Sequence, residues 1–262
     1  MKKLIIHSIF LFGILFIIAC SQNKTVVKTA LSADEIIERS YQAHGGDALT
    51  KWKTLQVKGE VYMFTGGEKP SRGEYLSYVQ KPDKFRRDRN LTKYEPNPWD
   101  YTDIYNSGQG WTTINLIPNH HPVFGMIIKR MLDSWNGAAN YRTNADSLIL
   151  QQESTASYVL DGDSVSVPAY VIKAKIKNEE TVLYFDKNSF YLIQEEFKVY
   201  SYQFKKVYLD FRKYGDVVFA GKRIEFSPGQ ASSRGIRYLN DEIIFDAPID
   251  ESKFNEFKPE NR

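Results

Sequence analysis

Hydrophobic and polar positions divide the chain into four kinds of segment. Residues 4–18 form a mostly apolar run. Residues 21–30 (SQNKTVVKTA) are polar and carry no helical stripe. A first helix is predicted from Ser32. Ser32-Ala33-Asp34-Glu35 is a capping box, with Ala33, Ile36, Ile37, Ser40 and Tyr41 on one face and Gly45-Gly46 as the stop. Asp47 caps a short further turn bearing Leu49 and Trp52. From there a period of two takes over, first at Val57, Gly59, Val61 and Met63, which alternate with Lys58, Glu60, Tyr62 and Phe64. Strands are predicted at 73–80, 85–90, 101–106 and 111–116, the last two forming a hairpin around Ser107-Gly108-Gln109-Gly110. Two prolines bar residues 91–99 from a central strand.

A second helix is predicted over Pro122 to Trp135. Phe124, Ile128, Met131 and Trp135 make its stripe, Pro122 suits its first turn and Gly137 its end. After it, strands at 158–161, 167–177, 181–186, 190–200, 203–213, 217–227 and 234–245 alternate with turn signals. Many short strands at regular spacing with few helices predict a mainly β, antiparallel architecture.

The N-terminus adds an address. Lys2-Lys3, the apolar run and a small residue before Cys20 are the parts of a secretory signal, and the run is shorter than the ~20 residues a spanning helix needs. Ile17-Ile18-Ala19-Cys20 resembles the lipobox of bacterial lipoproteins. That resemblance implies residues 1–19 as signal peptide, cleavage before an acylated Cys20, and residues 20–30 as a flexible tether between membrane and a single domain spanning 31–262. Ser21, where Asp would retain the protein, implies sorting to the outer membrane, facing the periplasm.

Charge changes the picture by exclusion. Two of the 35 basic residues leave with the signal, so 33 stand against 32 acidic ones, and nucleic acid is not an expected partner. The only cysteine carries the lipid, which excludes disulfides and thiol catalysis. His44 sits at a helix end. His120-His121 diverge in a loop without acidic or histidine partners at helical spacing, so no metal or other cofactor is expected.

Several segments together resemble the outer-membrane lipoprotein-sorting family, which comprises a periplasmic carrier and its lipid-anchored receptor. They are Ala43-His44-Gly45-Gly46 followed by Leu55 to Gly59, residues 78–86 (YVQKPDKFR), Gly108-Gln109-Gly110-Trp111, Tyr214-Gly215-Asp216-Val217 with Gly221-Lys222, and residues 248–254 (PIDESKF). The resemblance implies a strongly curved antiparallel sheet, an unclosed β-barrel, with short helices covering its concave face. It also implies a cavity for acyl chains of lipid or lipoprotein cargo. In the carrier, a basic residue before the junction proline latches the lid helices. Lys81 occupies that position and supplies one ammonium in place of the carrier's arginine fork.

With Lys81 inward, alternation turns Tyr75, Ser77 and Val79 inward too. Val57, Val61 and Met63 follow on the first strand, and Ile193, Phe197 and Val199 share a face with Glu195. The expected ligand contacts are Val61, Met63, Tyr75, Val79, Lys81, Phe85, Trp111, Phe124, Ile128, Met131, Ile193 and Phe197. Leu91 and Trp99 are the expected membrane contacts, by likeness to a protruding loop of the receptor. The basic run Arg86-Arg87-Asp88-Arg89 reads as a solvated face, with contact to anionic head groups or an acidic partner as the alternative. The function expected is ligand binding without catalysis, in a receptor-like role at the membrane. An envelope sensor or assembly factor binding a protein partner is the alternative, and a hydrolase using Glu195 comes third.

Overall fold

Period-two patterning builds one sheet. A computed structural model describes residues 30–65, 70–91, 100–152, 154–160, 163–226 and 234–255. Cys20, the signal, the tether up to residue 29 and Trp99 lie outside the described residues.

The chain opens with helices α1 (Ala33–Ala43) and α2 (Asp47–Lys51). Six strands follow: β1 (Thr54–Thr65), β2 (Ser71–Gln80), β3 (Lys84–Asn90), β4 (Asp100–Asn106), β5 (Gln109–Ile114) and β6 (Ile117–Asn119). Helices α3 (Pro122–Ser134) and α4 (Ala138–Asn144) interrupt the strands. Then come β7 (Ser147–Leu150), β8 (Ser154–Leu160), β9 (Asp163–Ile176), β10 (Glu179–Asp186), β11 (Leu192–Val199), β12 (Tyr202–Tyr214), β13 (Val217–Phe226) and β14 (Arg234–Phe245). A 3₁₀ turn, Glu251–Phe254, closes the described chain.

All pairings are antiparallel. The spatial order is β6-β5-β4-β3-β2-β1-β14-β13-β12-β11-β10-β9-β7, with β8 on the first half of β9. The first and last long strands therefore meet mid-sheet, Val61 opposite Tyr238. This is the expected mainly β, curved, unclosed antiparallel sheet with short helices.

The helix starts follow the sequence signals. Ser32 Oγ accepts from the Glu35 N–H at 3.2 Å, and Glu35 Oε2 accepts from the Ser32 N–H at 2.8 Å. The stop at His44-Gly45-Gly46 also fastens α1 to the sheet. His44 Nδ1–H donates to the Val218 carbonyl at 2.8 Å, and its Nε2 accepts from the Leu192 N–H at 3.3 Å. Burial lowers the His44 pKa, so the ring is neutral and can do both. Gly45 has φ +114°, and a Cβ there would stand 2.4 Å from the Asp216 carbonyl oxygen.

At the other end of the domain, Phe254 of the 3₁₀ turn is fully buried against β3 and β4. Arg86 Nη1 donates to the Lys253 carbonyl at 3.0 Å and Asn106 Nδ2 to that of Phe254 at 3.3 Å.

The structure departs from the expected elements at α4 and at the short edge strands β6 and β7. Helix α4 has seven residues (AANYRTN) and few strong helix formers. It is held by α1 instead: Arg142 Nε pairs with Glu38 at 2.6 Å and its guanidinium lies 4.5 Å from the Tyr41 ring.

Candidate functional site

Helix α3 lies across β5, and its approach depends on Gly110. A Cβ on Gly110 would stand 2.5 Å from the Gly125 Cα, so that position has no room for a side chain. His121 caps the helix by accepting from the Val123 N–H at 3.2 Å. Ile128 and Leu132 are buried beneath it.

Between α3 and the sheet remains a cavity of about 240 Å³. Its apolar wall includes Met63, Phe124, Ile127, Ile128, Met131 and Phe197. Phe197 stacks on Phe204 at 5.5 Å.

The rest of the lining is charged. Alternation along β3 places Arg87 and Arg89 on the same side as Phe85, facing in, while Arg86 pairs with Asp88 on the other side at 2.8 Å. Arg87, with 0% of its side chain exposed, reaches Asp103 at 3.1 Å and Glu225 at 3.5 Å. Its guanidinium lies 4.7 Å from the Tyr238 ring, and Arg223 covers the same ring at 4.7 Å. Arg89 Nη2 donates to Asp103 Oδ2 at 2.8 Å, and Thr112 Oγ donates to Asp103 Oδ1 at 2.9 Å. Arg223 Nε is 3.1 Å from Glu225 Oε1, a close ion pair without hydrogen-bond alignment. Burial pushes the Glu225 carboxyl up, but Arg87, Arg223 and Lys206 outweigh it and hold the pKa at about 2. Burial takes Lys206 the other way, down to about 8, with partial relief from Glu195 and Glu225.

Glu195 itself is 3% exposed and is taken up by structure. It accepts from Tyr141 of α4 at 3.0 Å and from Tyr208 at 2.7 Å. Burial and this carboxylate raise both phenols well above their ordinary range, so they stay protonated donors.

Of the expected ligand contacts, the structure brings Met63, Phe124, Ile128, Met131 and Phe197 together around the cavity. Val61, Tyr75, Val79 and Phe85 are buried on the concave side without lining it. Lys81 lies elsewhere: its Nζ sits 3.5 Å from the Trp52 ring centre and donates to the Leu49 and Thr50 carbonyls at 3.3 Å each. Burial there lowers its pKa to about 8. Trp111 pairs with Ile104, the face opposite to Thr112, and borders a separate open groove of about 580 Å³ with Tyr105, His120 and Met126. Ile193 also faces away. Tyr184 pairs with Gln194 but Phe185 pairs with Leu192, so Ile193 is the extra residue of a β-bulge. It packs with Ala156 and Ala169 instead of beside Glu195 and Phe197. Leu91, expected at a membrane, is 2% exposed.

Sequence reasoning missed the inward charges, reading residues 86–89 as a solvated face. The signal was present: once Phe85 is inward, a period of two carries Arg87 and Arg89 inward with it. Among the described residues, no three His, Cys, Asp or Glu converge as metal ligands.

No protein-family model matches the chain, and no curated protein is significantly similar to it. Solved structures share its fold. A LolA superfamily protein from Nitrosomonas europaea superposes with a TM-score of 0.53 at 12% identity, covering 86% of this chain and 98% of that one. A DUF1329 family protein from Desulfovibrio piger also gives 0.53, at 11% identity, covering 84% and 95%. The fold is LolA/LolB-like, and at these identities the likeness concerns the fold alone.

Proposed function

We propose that this protein is a lipid-anchored component of the bacterial envelope that binds the acyl chain of a lipid or lipoprotein, in a receptor-like role and without catalysis. The observation that carries the reading is the cavity beneath α3, with its wall of Met63, Phe124, Ile127, Ile128 and Met131. The pliable Met63 and Met131 suit a chain of variable shape. Anchorage rests on the lipobox-like Ile17-Ile18-Ala19-Cys20, and a tethered protein receives or hands over cargo at one membrane instead of crossing the periplasm. Outer-membrane residence follows from Ser21 by the same resemblance.

Mass spectrometry of organic extracts from the purified full-length protein tests the binding. The expected result is an acyl-bearing species in near-stoichiometric amount beyond the anchor itself. An empty protein that also fails to take up labelled dodecanol would contradict it. The anchor is tested separately. Cys20→Ala should abolish metabolic labelling with palmitate and move the protein to the soluble fraction. Labelling that survives the change would refute acylation at Cys20.

A further inference from the structure

We propose that the occupant of this cavity is an amphiphile with an anionic head group, a carboxylate or phosphate, held by Arg89 and Lys206 while its chain lies along α3. The inference rests on the reading of the cavity as a ligand site and names the class of ligand.

Three observations carry it. Arg89 is a buried guanidinium, its side chain 8% exposed, with one nitrogen on Asp103 and its Nε–H without a hydrogen-bond partner. Leaving such a donor unmet is costly, and the Tyr101 ring 4.9 Å away satisfies only the cation's face. Lys206 is 4% exposed and makes no ion pair among the described residues. Its contacts are the Arg130 carbonyl at 3.3 Å and the Phe197 ring at 5.2 Å. Finally, the lining as a whole is unbalanced. Arg87, Arg89 and Lys206 face only Asp103 and Glu225, while Lys205 has Glu196 at 3.9 Å. Asp103 is already shared among Arg87, Arg89 and Thr112.

A buried excess of positive charge is stabilised by an anion, and guanidinium and ammonium donors suit carboxylate or phosphate oxygens. A free inorganic anion would meet the cations and leave the apolar wall bare. A neutral lipid would fill the wall and leave the cations unmet. A ligand carrying both parts satisfies the whole lining.

The test uses full-length protein in phosphatidylcholine nanodiscs, with empty discs subtracted, and equilibrium binding of four labelled probes. Dodecanoate and dodecyl phosphate carry charge and chain, dodecanol carries only the chain, and inorganic phosphate only the charge. The expected result is that one or both charged amphiphiles bind about tenfold tighter than dodecanol. Lys206→Met and Arg89→Gln should each erase that advantage, so that charged and neutral chains bind alike. Lys206→Met keeps the length of the side chain and removes a buried charge, so it serves if Arg89→Gln fails to fold. Which charged probe wins identifies the head group. Equal binding of charged and neutral chains, unchanged in both variants, overturns this inference and leaves the apolar cavity standing. Binding of phosphate as tight as that of dodecyl phosphate overturns it as well. Failure of all four probes overturns the cavity reading itself.

Discussion

The concave face of the sheet has two ends that solve the same packing problem differently. Where α1 and the end of α3 meet the sheet, Leu49, Trp135, Leu192 and Phe219 close over a residual space of only about 40 Å³. Under the body of α3, about 240 Å³ stays open. At the sealed end aromatic rings interlock, Trp135 edge-on to Phe219 at 5.6 Å and Phe219 stacked on Phe245 at 6.0 Å. Two polar groups there bond within the protein: His44 at both nitrogens, and Asn240 to the Ala220 carbonyl at 2.7 Å. At the open end the polar groups are ions in excess of one sign. Side chains of like charge cannot converge to fill a gap as apolar ones do, so the space between them and α3 persists. The difference locates binding at the open end and rigidity at the sealed one.

The largest effect is expected at Asp103. Asp103→Ala removes the acceptor that two buried guanidinium groups share, and it should cost about 4 kcal/mol in urea unfolding. Next in size, Leu49→Ala at the sealed end should cost about 3 kcal/mol by leaving a cavity, with apolar ligand binding unaffected. A cost below 1 kcal/mol at either site would show that its end is packed more loosely than described.

Lys206→Met should act in the opposite direction and raise stability at pH 7 by about 2 kcal/mol. Its sign with pH is fixed. The folded pKa of Lys206 is about 8, below the ordinary lysine value of 10.5, so the unfolded chain binds more protons between these values. The penalty is complete below pH 8 and fades towards 10.5, so the variant's advantage should vanish over that interval. An advantage independent of pH would mean that packing, not charge, separates the two proteins.

The smallest effect is expected at His44. Its folded pKa is lowered by burial, so wild type should lose stability as the pH falls below 6.5, whereas His44→Gln should be flatter. Parallel pH profiles would remove the neutral histidine from the account of the sealed end.

The sealed end was largely legible in the sequence. The capping box at Ser32, the His44-Gly45-Gly46 stop and the alternation of Tyr75, Ser77 and Val79 all correspond to local rules, and the structure follows them. The α3 stripe was legible for the same reason. The open end was not, because its character depends on strands distant in sequence. Asp103 meets Arg87 and Arg89 across β3 and β4, and Glu225 comes from β13, more than a hundred residues away. The bulge that turns Ile193 to the other face had one local sign, the charge of Glu195 on an otherwise apolar face, and α4 was too short to show periodicity. Tyr141 on α4 nevertheless occupies Glu195, the carboxylate that the hydrolase reading would use.

The most direct test of the account is the binding of dodecanol to the full-length protein and to Ile127→Trp, which fills the open end. At least about tenfold weaker binding is expected in the variant, with its melting temperature near that of wild type and Leu49→Ala binding as wild type does. Equal binding by wild type and a folded Ile127→Trp would contradict the claim that the space beneath α3 is where the ligand lies.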